Sequence, residues 1–185
     1  MAIYSPSDSL MADYLARISY RQGGPKYIRL DRTGYPLIYK KDKEIDISKG
    51  FSLLKKGKEL YIIATGRMVY NALSITEILS HQSIDAGIID LFKIKPFEKE
   101  AFWSVIKTAR YIVTLEEHFI TGGIGSIIAE VLITQKEKIA FKSIGIPHQF
   151  CRQYGTREYL QRINKIDTVS VAASIIKWIK SPESK

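Results

Sequence analysis

Two glutamates, a histidine and three glycines fall within the thirteen residues "TLEEHFITGGIGS", 114 to 126. Carboxylates and imidazoles are common carriers of protons in catalysis. Gly122, Gly123 and Gly125 would let the backbone approach a ligand closely, and the free N–H groups that open a helix favour an anion. The G-G-x-G spacing matches neither a Walker loop nor a dinucleotide fingerprint. The same glycines suit a tight strand-to-helix turn, which is the reading the spacing favours. Glu116, Glu117 and His118 close an apolar run, at the strand end where open α/β sheets carry ligands. Neighbouring strand residues point to opposite faces, so Glu116 and Glu117 are not expected to act as a paired acid and base.

The remaining candidates are sparse. His81, His118 and His148 show no ligand spacing relative to one another, so no metal site is expected. His81, at a helix end, is expected to face the helix carbonyls or solvent. No G-x-S-x-G run supports a serine nucleophile. Cys151 is the one cysteine, which excludes an internal disulfide and a cysteine zinc cluster. A buried or inert thiol is expected there. In "KYIRLDR", Arg29 and Arg32 sit at a strand end beside a loop. A guanidinium fork matches phosphate, but a surface arginine paired with Asp31 fits the spacing equally. No residue is assigned as catalytic.

These side chains need a frame. "AIY" reads as a strand end, and Ser7 or Asp8 can cap a helix running to Arg21, with Leu10, Tyr14, Leu15 and Ile18 on one face. "KYIRL" is a second strand. The polar stretch 36–48 reads as a linker, and "FSLLKKGKE" as a hairpin edge and turn. From Leu60 the pattern is regular. The strands are "LYIIAT", "AGIIDLF", "YIVTLE" and "IAFKSIGI". The helices are Arg67 to His81 (Met68, Ala72, Ile75 and Leu79 inward), 95–109 (Phe102, Val105, Ile106 and Ala109 inward), 122–134, 156–164, and a last one capped by Asp167 with Val171, Ala172, Ile175 and Ile179 buried. Short, continuously apolar strands alternating with helices predict an α/β fold of three layers around a mostly parallel five-stranded sheet. The tail "SPESK" reads as disordered.

Bulk properties narrow the function classes. The chain has 185 residues, 45% hydrophobic and 25% charged, with a formal net charge of +9. That suffices for a real core and excludes compositional disorder. The basic residues are spread out rather than gathered in a block, which argues for a solvated surface and against nucleic-acid binding. The start lacks a signal-peptide pattern and no apolar run reaches membrane-spanning length. No membrane partner and a cytoplasmic location are expected.

The segments "YSPSD", "GPKYIRLDR", "LYIIATGRMVYNAL", "IIDLFKIKPFEKEAF", "YIVTLEEHFITGGIGS", "IGIPHQF" and "YGTREYL" come in an order that resembles the C-terminal third of the transketolase family of thiamine-diphosphate enzymes. The resemblance spans nearly the whole chain. It is closest to split transketolase C-terminal subunits and deoxyxylulose-phosphate synthases, which share a KP-x-(D/E) turn, a T-x-E-E strand end and a GG-x-G-S helix start. His148 departs from the aspartate common in the synthases.

The resemblance implies residues 1–35 as the end of a pyrimidine-binding domain, 36–48 as linker and 49–181 as the C-terminal domain. Met1 then falls in mid-fold, and residues 1–35 are expected to be poorly anchored, with one strand edge left open. The implied reaction is ketol transfer between sugar phosphates. Thiamine diphosphate and magnesium act in the complete enzyme, and none is expected on this chain alone, which should be inactive. By the resemblance Arg32, and more weakly Arg29, bind substrate phosphate. Glu117, His118, Gly122 and Gly123 face a domain or dimer interface. The implied partners are a diphosphate-binding subunit or domain, further copies of the chain in a homo-oligomer, and a sugar phosphate. A deoxyxylulose-phosphate synthase fragment, a beta chain of an oxo-acid dehydrogenase and a non-catalytic interaction or regulatory module are the alternatives.

Overall fold

The computed structural model describes residues 1–32, 34–40 and 46–181. The middle of the expected linker, 41–45, and the tail 182–185 lie outside the described residues. In chain order the elements are β1 (Ala2–Tyr4), α1 (Ser9–Arg21), β2 (Lys26–Ile28), β3 (Phe51–Lys55), β4 (Leu60–Ala64), α2 (Met68–Ser80), β5 (Ala86–Leu91), β6 (Lys93–Lys95), α3 (Lys99–Ile106), β7 (Tyr111–Phe119), α4 (Ile124–Ile133), β8 (Ala140–Ile146), α5 (Arg157–Ile163) and α6 (Thr168–Lys180).

The main sheet has the strand order β3-β5-β4-β7-β8. Strands β5, β4, β7 and β8 are parallel, and β3 lies antiparallel on β5. The two-residue period explains the apolar runs. Along β4, Leu60, Ile62 and Ala64 join Met68, Ile75, Val171 and Ile175 on the face covered by α2 and α6. Tyr61 and Ile63 join Phe102, Ile106, Ile124 and Ile128 on the face covered by α3 and α4. Both faces are dry, so alternation disappears from the sequence, and the three layers are those expected.

The expected hairpin is corrected. β3 does not pair with β4, because β5 lies between them. The turn after β3 crosses the start of β5, and Gly57 permits that crossing, since a Cβ there would strike the backbone of Gly87.

The loose N-terminal segment is also corrected. Strand β1 is paired on both sides, parallel to β2 and antiparallel to β6. β6 was not foreseen, and it is the strand that ties the segment down. Tyr4, Met11 and Leu15 pack with Phe92 in a third core cluster. Met11, Leu15 and Phe92 are fully buried, each burial worth about 1.5–3 kcal/mol before entropy is counted. Met11 replaces Leu10 as the centre of the buried face of α1. Among the described residues β2 and β6 are the outer strands of this sheet, each with one edge unpaired. Asp8 rather than Ser7 caps α1, accepting from the Met11 amide at 2.8 Å. Its other oxygen accepts from Ile38 N and Tyr39 N at 2.8 and 2.9 Å, which fastens the start of the connecting stretch to the helix.

Candidate functional site at the carboxyl ends of β4 and β7

From β4 the chain moves to β5 on one side, and from β5 it returns to β7 on the other side of β4. The crevice above β4 and β7 is therefore the switch point of the sheet, where open α/β folds carry ligands. Glu116, Glu117 and His118 sit there, and alternation sends the two glutamates to different elements.

Glu116 is fully buried. Its Oε2 accepts from Ile124 N at 2.9 Å and its Oε1 from Gly125 N at 3.1 Å. Burial raises its pKa, opposed by these two amides. The carboxylate thus caps the start of α4 and meets its partial positive charge. Gly122 donates to Ser126 Oγ at 3.0 Å, and Gly123 N to Ile120 O at 3.4 Å. The glycine turn encloses the chain's own carboxylate, with its amides already engaged. Gly123 is required by this closeness, because a Cβ there would overlap the Glu116 carboxylate. Gly122, at φ +76°, makes the turn itself.

Glu117 faces the other way. Its Oε1 lies 3.2 Å from Arg157 Nε and accepts from Gln161 Nε2 at 2.8 Å. Arg157 also forks onto Asp31, at 2.9 and 3.0 Å, and donates to the Tyr35 hydroxyl at 3.0 Å. The Asp31 bond, foremost, raises the pKa of Arg157. Asn71 Nδ2 donates to Gln161 Oε1 at 3.4 Å, and Arg67 to Asn71 at 2.9 Å. The Arg67 guanidinium lies 4.4 Å from the centre of the Tyr35 ring. This network joins α2, α5 and the end of β7 to Asp31 and Tyr35. Sequence reasoning missed Arg157 and Gln161, whose partners are 40 or more positions away.

Arg29 and Arg32 are not brought together. Arg29 lines a cavity of about 390 Å³ with Ser5, Thr65, Glu116, His118 and Phe119. Arg32 lines a smaller one of about 190 Å³ with Ser7, Asp8, Ser9 and Tyr35. Asp31 pairs with Arg157, so the reading of Arg29 or Arg32 as its partner is replaced. Among the described residues neither Arg29 nor Arg32 has a carboxylate within ion-pair distance. His118 titrates below its ordinary value, chiefly through burial and then through the charge of Arg29.

Asp90 lies fully buried where the two sheets meet, accepting from Ser7 Oγ at 2.5 Å and the Tyr39 hydroxyl at 2.7 Å. Burial pushes its pKa up to about 7. Of the other candidates, His81 is exposed at the end of α2. His148 stacks on Phe119, with ring centroids 5.3 Å apart. Of the expected buried or inert thiol, burial is not found: Cys151 is exposed, in the irregular stretch between β8 and α5. Among the described residues no three His, Cys, Asp or Glu side chains gather to hold a metal ion, and no helix is long and apolar enough to cross a membrane.

A sequence profile described as "Transketolase, C-terminal domain" matches residues 51–166. The chain belongs to the transketolase C-terminal domain family. Its relatives in that family include a putative transketolase C-terminal section of Methanocaldococcus jannaschii, 33% identical over 182 residues, covering 97% of this chain and 56% of that protein. Another is one of the subunits of an apulose-4-phosphate transketolase of Actinobacillus succinogenes, 30% identical, covering 91% of this chain and 54% of that one. A 1-deoxy-D-xylulose-5-phosphate synthase of Halothermothrix orenii is 32% identical, but the match takes in only 28% of its length. A solved split-gene transketolase, described as an inactive beta4 tetramer, superposes with a TM-score of 0.86 at 29% identity, over 96% of this chain and 57% of that one. The chain thus spans about half the length of the first two relatives and of that structure. The profile match covers the glycine turn, both glutamates and Arg157, and stops short of Arg29 and Arg32 on the N-terminal side.

Proposed function

We propose that this chain is the C-terminal section of a thiamine-diphosphate-dependent transketolase-type enzyme, a split transketolase component that acts with a diphosphate-binding subunit or domain in ketol transfer between sugar phosphates. Similarity at comparable coverage to the two transketolase sections carries this reading. The chain's own residues do not suit the magnesium diphosphate group. They offer no metal-holding cluster among the described residues and no G-D-G…N run, so in this reading the partner supplies that chemistry.

In this reading residues 1–35 end a pyrimidine-binding domain and 49–181 form the C-terminal domain. Glu117, His118, Gly122 and Gly123 lie toward a domain or dimer interface, where exposed Gly122 has open space around it. The Arg32 guanidinium binds the substrate phosphate, and its lack of a carboxylate partner among the described residues supports this. Arg29, in a different cavity, is left out of that assignment. The inactive tetramer of the split-gene relative supports a chain that self-associates and is inactive alone. The test is Arg32→Ala in the assembled enzyme. KM for a phosphorylated acceptor should rise about 10–100-fold, as loss of a charge-assisted bond implies, with KM for an unphosphorylated aldehyde unchanged. An equal effect on both acceptors would refute the assignment.

A further inference from the structure

The 390 Å³ cavity at the switch point shares His118, Gly122 and Gly123 with the interface of that reading, but no ligand is assigned to it there. Its walls come from β1, β2, the end of β4, the end of β7 and the turn before α4. Much of its lining is apolar, from Ile3, Tyr27, Ile94 and Phe119. Three polar features converge on this apolar space. The first is the Arg29 guanidinium, with no carboxylate in ion-pair range among the described residues. The second is His118, close enough to feel the Arg29 charge. The third is a pair of hydroxyls, Ser5 Oγ and Thr65 Oγ1, in residues only 5% and 3% exposed and without a hydrogen-bond partner. Unpartnered buried hydroxyls are costly; both oxygens are closed to solvent, and a turn of either side chain toward the cavity that its residue lines would give it a partner in a bound ligand.

The ligand's charge follows from the balance of the walls. Glu116 is the one carboxylate in the lining, and both of its oxygens are engaged by the amides of α4. What is left over is a planar cationic fork, an imidazole and two hydroxyl donors. That donor set suits a tetrahedral oxyanion better than a cation or a neutral ring. An apolar cavity with a few convergent polar groups is the usual form of a small-molecule site.

We propose that this cavity binds a small phosphate monoester, its phosphoryl group held by Arg29, His118, Ser5 and Thr65 and its apolar body lying against Tyr27 and Phe119. The site is distinct from the one assigned to Arg32. It does not depend on the transketolase-type reading, because it is tested on the purified chain without partner, cofactor or turnover.

The experiment is an NMR titration of the 185-residue chain with phenyl phosphate, inorganic phosphate and phenol. Phenyl phosphate should shift the Thr65 amide and the His118 imidazole saturably and raise the His118 pKa, since an adjacent anion favours the imidazolium. Inorganic phosphate should bind at the same residues more weakly, and phenol should not bind. Arg29→Ala should weaken phenyl phosphate about 10–100-fold. Thr65→Val, which keeps the shape of the side chain, should weaken it by a smaller factor. Arg110→Ala, at the other end of β7, should change nothing. No saturable shift at about 20-fold molar excess over about millimolar protein would overturn the proposal. So would binding indifferent to both Arg29→Ala and Thr65→Val, phenol binding as tightly as phenyl phosphate, or shifts that gather around Arg32 and Tyr35 and spare His118.

Discussion

Glu117 and Arg157 meet at 3.2 Å between the end of β7 and the start of α5, and the same guanidinium reaches on to Asp31 at 2.9 Å. One arginine therefore ties Asp31 and Tyr35 to the main sheet. Arg157→Ala should remove the guanidinium that Glu117 and Asp31 share, at a cost of about 1–3 kcal/mol. The low end applies because the arginine side chain is 31% exposed, which weakens the pair by solvent screening. Amide hydrogen exchange checks this. Residues 26–36 should lose protection while β4 and β7 keep theirs. Unchanged protection at 26–36 would mean that the third core cluster alone holds the segment.

The Glu116 cap makes Gly123 the demanding glycine of the turn. Gly122→Ala should cost about 1 kcal/mol, because it places a side chain at positive φ in open space. Gly123→Ala should cost more, since its Cβ overlaps a carboxylate held by two amides. In a Glu116→Ala background the Gly123→Ala penalty should shrink, giving a coupling of about 0.5–3 kcal/mol in the double-mutant cycle. Equal costs for the two glycine substitutions would mean that Glu116 is not held where the structure puts it.

Asp90 should make stability depend on pH. Its folded pKa of about 7 lies above the ordinary value of 3.8. Between those values the folded chain keeps a proton that the unfolded chain has released, so stability falls as pH rises from about 4 to about 7. Beyond that the buried carboxylate is ionised, near Asp8 and with one oxygen lacking a donor. Urea denaturation at several pH values should show this slope in the wild type, and Asp90→Asn should flatten it. A variant with the same slope would assign the effect to another group.

Where chemistry is local or periodic, the sequence was legible. The β4 run, the Met68, Ala72, Ile75 and Leu79 stripe, and the Asp167 cap each announce themselves within a few residues, and all are found. Strand alternation alone also separates Glu116 from Glu117. What stayed hidden depends on distant partners. "KIK" has no strand signal of its own and becomes β6 only because β1 lies beside it. Glu116 caps a helix that begins eight residues later, outside any local capping pattern. Arg157 reads as an ordinary first-turn residue of α5 until Asp31 and Glu117 arrive from elsewhere. The exposure of Cys151 could not be read either, since an irregular stretch carries no period.

If the chain supports ketol transfer without performing it, turnover must depend on assembly. The most direct measurement is the rate of transfer from a ketose phosphate to an aldose phosphate with thiamine diphosphate and magnesium. It should be made with the purified chain, then with the same chain assembled with the rest of a pyrimidine-binding domain and the diphosphate-binding subunit of a split transketolase. The chain alone should give no rate above the protein-free blank, and the assembly should turn over continuously. Sustained turnover by the 185-residue chain alone would contradict the proposed role.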